Sequence, residues 1–388
     1  ASAPPRLAGA ALAAGRRRAS WAAGAIGVSV AFSVAVGVFT YSFRTTVVDW
    51  ADQGLRADLW VRPLSDDTGC QVGRLSPAVV EAAESVFGEG VVDPIHMTQA
   101  RYGTEPVTLG AGEFPIARSR SGDPFRGGRT PQVVFGEALR VKGCVVNEPF
   151  ALRFGVREGD VVRLKVREGE IRRKVCGVFY DYSDQRGTVF ITRDDFLQLY
   201  PDDGPTGVFL FLPPGADPSS ARSRLYRAFE GRFRVEILLS WDLRREVVAA
   251  FDRTFAITKA LQASAGAVAV LAVLAVLYAL VDERRGDLAL VRALGGSRLQ
   301  VGSLVALQAG LLGLVGALPG LGGGLLMGLL LVKVASLQSF HWTLRFIPPW
   351  GNLAAVLAGV VLACVAAGMT PALKAARSSP QEDLREEE

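Results

Sequence analysis

The sequence predicts a membrane protein of four transmembrane helices, with a large mixed α/β extracytoplasmic domain inserted between the first and second helices. Hydrophobic residues make up 49% of the 388 residues and charged residues 21%, so the two kinds must be segregated along the chain. Four long stretches contain no Asp, Glu, Lys or Arg: 20–43, 260–281, 301–332 and 351–373. A helix of about 20 apolar residues crosses a hydrocarbon core of about 30 Å, so each stretch is long enough to span a bilayer.

Basic residues predict the orientation of the chain. Three arginines at 16–18 precede the first span, and four more lie between residues 282 and 300. The short connection between the third and fourth spans has only Lys333 and Arg345. The positive-inside rule therefore places both termini and the 282–300 loop in the cytoplasm. The net charge of +5 reflects this topology and does not indicate a nucleic-acid partner.

The predicted layout has nine segments. They are a cytoplasmic segment 1–19, transmembrane helix 20–43, outer α/β domain 44–254 with stalk helices at both ends, transmembrane helix 255–281, cytoplasmic coupling loop 282–300, transmembrane helix 301–332, external loop 333–350, transmembrane helix 351–373 and cytoplasmic tail 374–388. The first span is too long for a cleaved signal peptide, and Tyr41–Arg44 offers no small-residue cleavage site. Because the chain lacks an initiator Met, we expect residue 1 to be a processing boundary or a cut through a longer polypeptide.

The outer segment has the pattern of a mixed α/β domain. Residues 161–166 and 171–179 alternate apolar and polar positions around a turn, which predicts a hairpin. Ser76-Pro77 predicts the start of a helix that ends near Phe87. From Ser240 the apolar residues recur every four positions, which predicts one continuous helix to Val281; a break at the membrane surface is the alternative. With an extended first span, this helix would form a stalk.

Three of the four cysteines fall in the outer domain, where oxidation is permitted. Cys144 and Cys176 each lie in a strand-like run, so theirs is the favoured disulfide, with three free thiols as the alternative. Small residues recur on two spans, and such faces allow helix backbones to approach closely. The predicted packing residues are Gly316, Gly320, Gly324, Gly328, Gly359 and Ala363. Packing of spans three and four within the chain and dimerisation are both open.

The sequence excludes several functions. No P-loop motif occurs, so the chain is not expected to bind ATP itself. No nucleophile–base signature is visible, and no catalytic or metal-ligating residue is predicted. A membrane-anchored enzyme would need ligands such as Asp181, Asp184, Asp194 and Asp195, which have the pattern of a turn and a helix start. Energy for any work would then come from a partner.

The cytoplasmic loop has the pattern of a short amphipathic helix. Leu288, Val291 and Leu294 fall on one side, charged residues on the other, and Gly295 ends it. The loop resembles the E-R-x-x-E-[IL]-x-x-[LV]-[RK]-A-[LIM]-G-A-[ST] loop of the FtsX/MacB-type permeases of ABC systems. The matching residues are Glu283, Arg284, Leu288, Arg292, Ala293, Leu294, Gly295 and Ser297. Asp287 stands where the family has Glu, and Gly296 where it has Ala.

Three other segments carry the same resemblance. The tail 371–385 is similar to that family's P-A-x-x-A-A-x-x-x-P-x-x-x-L-R ending. The stretch 145–196 is similar to its periplasmic core, through Asn147-Glu148, Phe154-Gly155, Gly159-Asp160-Val161, Gly177-Val178 and Asp194-Asp195-Phe196. Residues 49–59 resemble the opening of the second half of the ten-span members. The resemblance therefore implies half of such a permease, in the bacterial plasma (inner) membrane.

The resemblance implies a mechanotransmission device with an outer domain of the MacB-like periplasmic core type. A cytoplasmic ABC ATPase dimer would use ATP and bind the loop, while this chain binds no cofactor. The implied coupling residues are Glu283, Arg284, Arg285, Asp287, Leu288, Val291, Arg292, Leu294, Gly295 and Arg298. Other implied partners are a second permease half or a second copy, a periplasmic substrate or adaptor, and the bilayer. Export, extraction or release of a lipoprotein, lipid or peptide is favoured over FtsX-like activation of a cell-wall hydrolase, because that branch has a smaller outer domain.

Overall fold

The fold comes from a computed structural model that describes residues 16–377, apart from 55, 65–72, 123, 168, 183, 202–203, 230 and 284–296. The described chain divides into two units. The helical unit comprises the described parts of Ala1–Phe43, Asp252–Ala335 and Leu344–Glu388, and the sheet unit comprises those of Arg44–Phe251 and Ser336–Thr343.

Long helices make up the helical unit. They are α1 Arg16–Gly54, α9 Ala256–Glu283, α10 Arg298–Leu330 and α12 Trp350–Arg377, with a π-helical turn, Leu331–Ala335, after α10. The end of α1, from Arg44, belongs to the sheet unit. Among the described residues, three helical stretches are long and apolar enough to cross a membrane: Ala23–Gly54, Gly302–Ser339 and Trp350–Met369. The predicted extension of the first span beyond Phe43 is confirmed, since α1 is uninterrupted to Gly54.

Among the residues that the structure describes, nine strands form the sheet of the sheet unit. They are β1 Leu59–Pro63, β2 Val92–Tyr102, β3 Glu105–Gly112, β4 Cys144–Asn147, β5 Val161–Val166, β6 Gly169–Phe179, β7 Thr188–Thr192, β8 Gly207–Leu210 and β9 Val235–Leu239. Its helices are α2 Pro77–Phe87, α3 Phe114–Arg120, α4 Pro131–Val141, α5 Glu148–Phe154, α6 Arg193–Leu199, α7 Pro218–Phe229, α8 Ser240–Thr254 and α11 Ser336–Phe340. The predicted hairpin is confirmed as β5–β6, and the predicted helix after Ser76 is α2.

The strand order is β3-β7-β4-β6-β5-β2-β8-β1-β9, with a further pairing of β3 to β2. Six strands, from β2 through β3, β7, β4, β6 and β5, are therefore joined in a closed ring of pairings, from which β8, β1 and β9 extend. Most pairs are antiparallel, while β3–β7 and β4–β6 are parallel. The β2–β3 ladder runs from the pair His96–Ala111 to the pair Tyr102–Glu105.

Alternation along the strands separates the two faces of the sheet. One face carries two cores: Leu109 and Val189 pack with Phe150 and Phe196, and Leu59 and Leu210 pack with helices α2 and α7. On the opposite face, α3 and α4 cover the strand residues that alternate with these core residues. Phe114 and Val134 of the two helices pack there against Val145 and Phe179 of the strands. Each strand is thus apolar on both faces where helices cover it.

The predicted disulfide between Cys144 and Cys176 is wrong. Both side chains are buried free thiols. Although they lie on the neighbouring strands β4 and β6, the register pairs Cys144 with Val175. Cys144 therefore packs in the core on one face and Cys176 in the cluster under α4 on the other. Burial raises the pKa of both thiols, which keeps them protonated. Cys70 lies outside the described residues.

Four of the predicted packing glycines lie against α1. A Cβ on Gly316 would stand 2.7 Å from the Ala23 carbonyl oxygen, and one on Gly320 would stand 2.6 Å from that of Gly27. Gly324 and Gly328 are similarly close to Val34 and Val38. The packing of α10 on α12 uses other residues, since a Cβ on Gly313 would lie 2.9 Å from the Cys364 Sγ atom. Gly359 is exposed and faces open space within the described chain, and Ala363 is half-buried.

Asp93 on β2 is a buried acid in the sheet unit. Its side chain is 4% exposed, and its Oδ1 atom accepts a hydrogen bond of 2.7 Å from the Glu113 backbone N–H. Burial raises the pKa of the Asp93 carboxyl to about 7, the Glu113 carboxylate raises it further, and the backbone hydrogen bond and Arg193 oppose this. Since an unfolded chain ionises this carboxyl near pH 4, the folded state must hold a proton that the unfolded state releases.

The wild type is expected to lose stability as pH rises, and Asp93→Asn is expected to abolish this dependence. Below about pH 4 both states of the wild type are protonated, so stability is full there, and it falls until about pH 7. A pKa difference of about 3 corresponds to a loss on the order of 4 kcal/mol. Unfolding midpoints of both proteins between about pH 4 and pH 8 measure this. The unfolding midpoint of the variant should rise relative to that of the wild type as pH increases. Midpoints that change in parallel with pH would contradict the raised pKa of Asp93.

Candidate mechanical coupling site

The predicted continuous helix from 240 to 281 is interrupted. The structure has α8, Ser240–Thr254, and α9, Ala256–Glu283, separated at Phe255. In the helical unit the Phe255 ring centroid lies 5.8 Å from that of Phe43 and 6.4 Å from that of Phe39 on α1. These distances are typical of favourable aromatic pairs. The residue at the interruption is therefore packed against α1, which accounts for a break that helical periodicity does not show.

Within the sheet unit, α8 is joined to the end of α1 and to the residues that follow it. The Arg244 Nη1 atom lies 3.2 Å from the Asp52 Oδ1 atom. Since the Arg244 and Asp52 side chains are 36% and 58% exposed, this pair adds at most about 1 kcal/mol. The Ser240 N–H donates to the Asp58 carbonyl at 3.2 Å, and the Ser240 hydroxyl donates to the Ala57 carbonyl. The end of α1 and the start of α8 are thus held together within the sheet unit.

A third segment is held through Glu148. The Glu148 side chain is 1% exposed and accepts hydrogen bonds from the Thr343 backbone N–H, at 3.0 Å, and from the Thr343 hydroxyl. Both residues belong to the sheet unit, although Thr343 follows α10 and α11 in the chain. Burial raises the pKa of the Glu148 carboxyl, and the hydrogen bonds from Thr343 oppose this. The acid therefore fixes the backbone of the segment 336–343.

The local sequence explains why Glu148 lies at this position. Asn147 caps α5 by accepting a hydrogen bond from the Phe150 N–H at 3.1 Å, and Pro149 occupies the first turn. The Asn147 Oδ1 atom also accepts from the Thr188 N–H at 2.8 Å, which fixes it against β7. An acid in the first helical turn is favoured by the helix dipole. The dipeptide Asn147-Glu148 thus begins a helix and presents a carboxylate to another segment.

Aromatic rings complete this contact. The Tyr182 ring centroid lies 5.1 Å from that of Trp342 and 5.9 Å from that of Trp50 on α1. The Tyr182 hydroxyl also donates to the Thr343 carbonyl at 3.5 Å. Trp342 is 7% exposed, so its ring is buried by these neighbours. The end of α1 and the segment 336–343 therefore meet at Tyr182, and we call Trp50, Glu148, Tyr182, Trp342 and Thr343 the clasp.

Glu148→Ala is expected to release the segment 336–343. The Thr343 N–H and hydroxyl would lose their acceptor, and a hydrogen bond of this kind contributes about 0.5–1.5 kcal/mol. Hydrogen exchange followed by mass spectrometry should show faster exchange at Thr343 and its neighbours. Glu105→Ala is the matched control, because Glu105 is an exposed acid paired to Arg153 at 2.7 Å. Equal exchange of this segment in the wild type and in Glu148→Ala would show that the carboxylate does not hold it.

Most of the predicted coupling residues lie outside the described residues. This holds for Arg284, Arg285, Asp287, Leu288, Val291, Arg292, Leu294 and Gly295. Glu283 is the last residue of α9 and Arg298 the first of α10. Ser297 caps α10 through a reciprocal pair of hydrogen bonds with Gln300, a capping box that fixes where this helix begins.

Two of the four carboxylates named as candidate metal ligands, Asp184 and Asp195, have other partners. The Asp184 side chain accepts hydrogen bonds from the Thr108 hydroxyl and the Arg186 N–H. Asp195 lies 3.2 Å from the Arg173 guanidinium, and its own N–H donates to the Thr192 hydroxyl at the start of α6. Within the described ranges no group of three or more His, Cys, Asp and Glu side chains is placed to hold a metal ion.

The sequence does not show the clasp as a site. Asn147-Glu148 carries part of the family resemblance, and Trp342 and Thr343 fall in the predicted external loop. The signal that could have located them is an acid followed by proline at a helix start, together with a tryptophan in a short polar loop. Neither pattern states which segment the acid contacts, because the partners are 195 residues apart.

Comparison with protein families gives two matches. Residues 21–228, more than half of the chain, match the MacB-like periplasmic core domain, and residues 262–380 match the FtsX-like permease C-terminal family. The first match contains the clasp residues Trp50, Glu148 and Tyr182. The second contains the loop 283–297 that carries the sequence resemblance.

Comparison with individual proteins gives relatives of the same kind. The chain is 30% identical over 379 residues to an uncharacterized ABC transporter permease protein of Mycobacterium tuberculosis, covering 95% of this chain and 44% of that protein. It is 22% identical over 238 residues to an uncharacterized ABC transporter permease of Methanocaldococcus jannaschii, covering 60% of this chain and 58% of that one. The chain thus spans about half the length of these curated relatives. The extracellular domain of the noncanonical ABC-type transporter YknZ from Gram-positive bacteria aligns with a TM-score of 0.32 at 16% identity, over 47% of this chain and 98% of that domain.

Proposed function

This chain belongs to the FtsX/MacB-type permeases of ABC transporters, and we propose on that premise that it transmits motion driven by a separate ATPase to its sheet unit outside the cytoplasm. The clasp is the observation that supports this role most directly. It fastens the end of α1 and the segment after α10 to the same tyrosine of the sheet unit. A shift of either helix would therefore pull on a rigid α/β body.

The proposed topology has four spans with both termini in the cytoplasm of a bacterium. The three apolar helical stretches Ala23–Gly54, Gly302–Ser339 and Trp350–Met369 supply three of them. Helix α9 is the proposed fourth, because its residues 260–281 carry no Asp, Glu, Lys or Arg over a length sufficient to cross a bilayer. The sheet unit then lies on the periplasmic or extracellular side of the plasma (inner) membrane, and the 282–300 loop lies inside.

In this account an ATPase dimer binds the 282–300 loop and supplies the energy. The loop connects the last residue of α9 to the first residue of α10, so a push on it reaches two helices at once. This chain binds no cofactor itself. A second permease half or a second copy of the chain completes the membrane assembly, and the exposed apolar residues Val28, Phe32 and Val268 are available for that contact.

The proposed work is export, extraction or release of a lipoprotein, lipid or peptide-like substrate on the outer side. The size of the sheet unit supports this over activation of a cell-wall hydrolase. The FtsX branch that activates a hydrolase has a smaller outer domain, whereas the sheet unit has a nine-stranded sheet with helices on both faces among its described residues. Copurification of a hydrolase with the chain from native membranes would favour the regulatory role.

Phe251→Pro is expected to uncouple ATP hydrolysis from movement of the sheet unit. Proline inside α8 removes a backbone hydrogen bond and costs roughly 3 kcal/mol, so the helix would bend or break between Ser240 and Phe255. The ATPase should still copurify and hydrolyse ATP, because residue 251 is distant in sequence from the 282–300 loop. The stimulation of ATP hydrolysis by substrate or adaptor should be lost.

Phe251→Ala is the control for this variant, since alanine removes the ring and keeps the helix. It should retain that stimulation. Equal behaviour of the proline and alanine variants would show that an intact α8 is not needed for transmission.

A further inference from the structure

The sheet unit contains a cavity of about 220 Å³ on the face opposite its two cores. Eight of the residues that line it are aromatic, among them Trp60, Phe179, Phe190 and Phe209. Their positions follow from alternation: Leu59 and Val61 of β1 point into a core, so Trp60 between them faces the cavity. The cavity is therefore built by the same register that buries the core.

Close packing elsewhere on this face shows that the cavity is not a result of loose packing. The rings of Trp60 and Phe209, which are cross-strand partners on β1 and β8, stack at 4.1 Å. A Cβ on Gly110 would lie 2.8 Å from the Phe190 ring, so glycine is required for that ring to lie against β3. A Cβ on Gly112, which lines the cavity, would lie 2.9 Å from Ile95. The residues around the cavity are therefore closely packed against one another, and protein atoms do not fill the space that they surround.

Several residues that line the cavity have polar side chains, among them Arg56, Trp60, Asp93, Ser121 and Asp181. The Trp60 Nε1–H is buried and has no hydrogen-bond acceptor among the described residues. An unsatisfied buried donor is unfavourable, and a ligand with an acceptor oxygen would remove that cost. Asp93 also lines the cavity, and its raised pKa keeps it neutral below about pH 7. Because eight of the lining residues are aromatic and the indole donor is unsatisfied, an apolar ligand with one carbonyl oxygen suits this cavity.

We propose that this cavity binds the alkyl chain of an acyl ester, with the ester carbonyl accepting the hydrogen bond of the Trp60 indole. An apolar chain is favoured because its burial against aromatic walls contributes about 25 cal/mol per Å². The volume lies below the 300–1,000 Å³ typical of sites for drug-sized ligands, so one chain segment fits and a whole lipid does not. Trp50 and Gly54 at the end of α1 form part of the wall. This inference goes beyond the proposed function and stands without it, because binding requires no ATPase.

The test is photo-cross-linking of the full chain in lipid nanodiscs with a diazirine-bearing methyl ester of decanoic acid. Cross-linked peptides are identified by mass spectrometry, and those that contain Trp60, Met97 or Phe209 are expected. Ala117→Phe on α3 places a ring at the cavity wall and should lower this labelling at least tenfold. Ser119→Phe adds the same ring on the exposed side of α3 and should leave labelling unchanged. Equal labelling in both variants would overturn the proposal.

Trp60→Phe keeps a ring at this position and removes the donor, so it tests the hydrogen bond even if Ala117→Phe does not fold. The apparent affinity for the ester should fall about fivefold, and that for an alkane probe of equal length should not change. An equal change for both probes would refute the role of the indole. The same diazirine on a phospholipid and on an acylated peptide distinguishes two sources of the ester, and cavity labelling by either supports the proposal. Labelling by all probes confined to the helical unit would overturn it.

Discussion

Replacing Leu294 by aspartate is expected to abolish copurification of the ATPase while leaving the chain in the membrane. Leu294 lies on the predicted apolar side of the 282–300 loop, at a position where the loop matches the family pattern. A charge there would have to be desolvated against the ATPase surface without a partner, which costs several kcal/mol. Affinity purification of tagged chain coexpressed with its ATPase, followed by quantification of both proteins, measures the loss.

Ala289→Asp is the matched control for this experiment. It introduces the same charge into the same loop, at a position that the family pattern leaves open and that lies on the side of the predicted helix away from Leu288, Val291 and Leu294. This variant should retain most of the ATPase. Full copurification with Leu294→Asp, or equal loss with both variants, would remove the basis for assigning the coupling residues.

Gly324→Leu is expected to disrupt the helical unit. A Cβ at Gly324 would stand 2.6 Å from the Val34 Cβ atom and 2.7 Å from the Ala31 carbonyl oxygen, so α10 and α1 could not stay at their present distance. Overpacking of this kind costs typically 1–3 kcal/mol, and more where the obstacle is backbone. In lipid, close packing is the main drive for helix association, so nothing else compensates. Thermal unfolding in mild detergent should show a clearly lower midpoint.

Gly322→Leu provides the comparison, because a Cβ at Gly322 would meet no heavy atom within 4 Å. It lies two residues away on an exposed side of the same helix and makes the same change in helix propensity. Its unfolding midpoint should stay near that of the wild type. If the two leucine variants unfolded at the same temperature, the contact between α10 and α1 would not be the one in the structure.

The periodicity of apolar residues correctly predicted the elements in which buried and exposed positions follow a regular pattern. The long helices are apolar on all sides, and the strands of the β5–β6 hairpin alternate between an exposed and a buried face. Each pattern can be recognised within a single stretch of sequence. By contrast, β2 and β3 contain Pro94 and Pro106, and four of their buried positions are occupied by Asp93, His96, Gly110 and Gly112. Pairing with neighbouring strands stabilises these two strands despite their low strand propensity. The disulfide prediction failed because two strand-like runs do not reveal the register that sets their cysteines on opposite faces.

The candidate site was only partly visible in the sequence. The glycine face of α10 could be recognised from its four-residue spacing, but its partner could not, because a small-residue face fits any helix. The clasp depends on contacts between Glu148 and Thr343, which are far apart in the chain and carry no shared pattern. The interruption at Phe255 likewise coincides with ring contacts to α1, while apolar periodicity continues through it.

The central claim is that ATP use by the partner moves the sheet unit relative to the membrane helices. Spin labels at Val133 and Val315, which are 55% and 58% exposed, allow their separation to be measured by electron paramagnetic resonance in the assembled complex, with the native cysteines replaced. We predict that trapping the ATPase in its ATP-bound state shifts the distance distribution by a few ångström in the otherwise wild-type chain and not in Leu294→Asp. An identical distribution with and without ATP in the assembled complex would contradict the account.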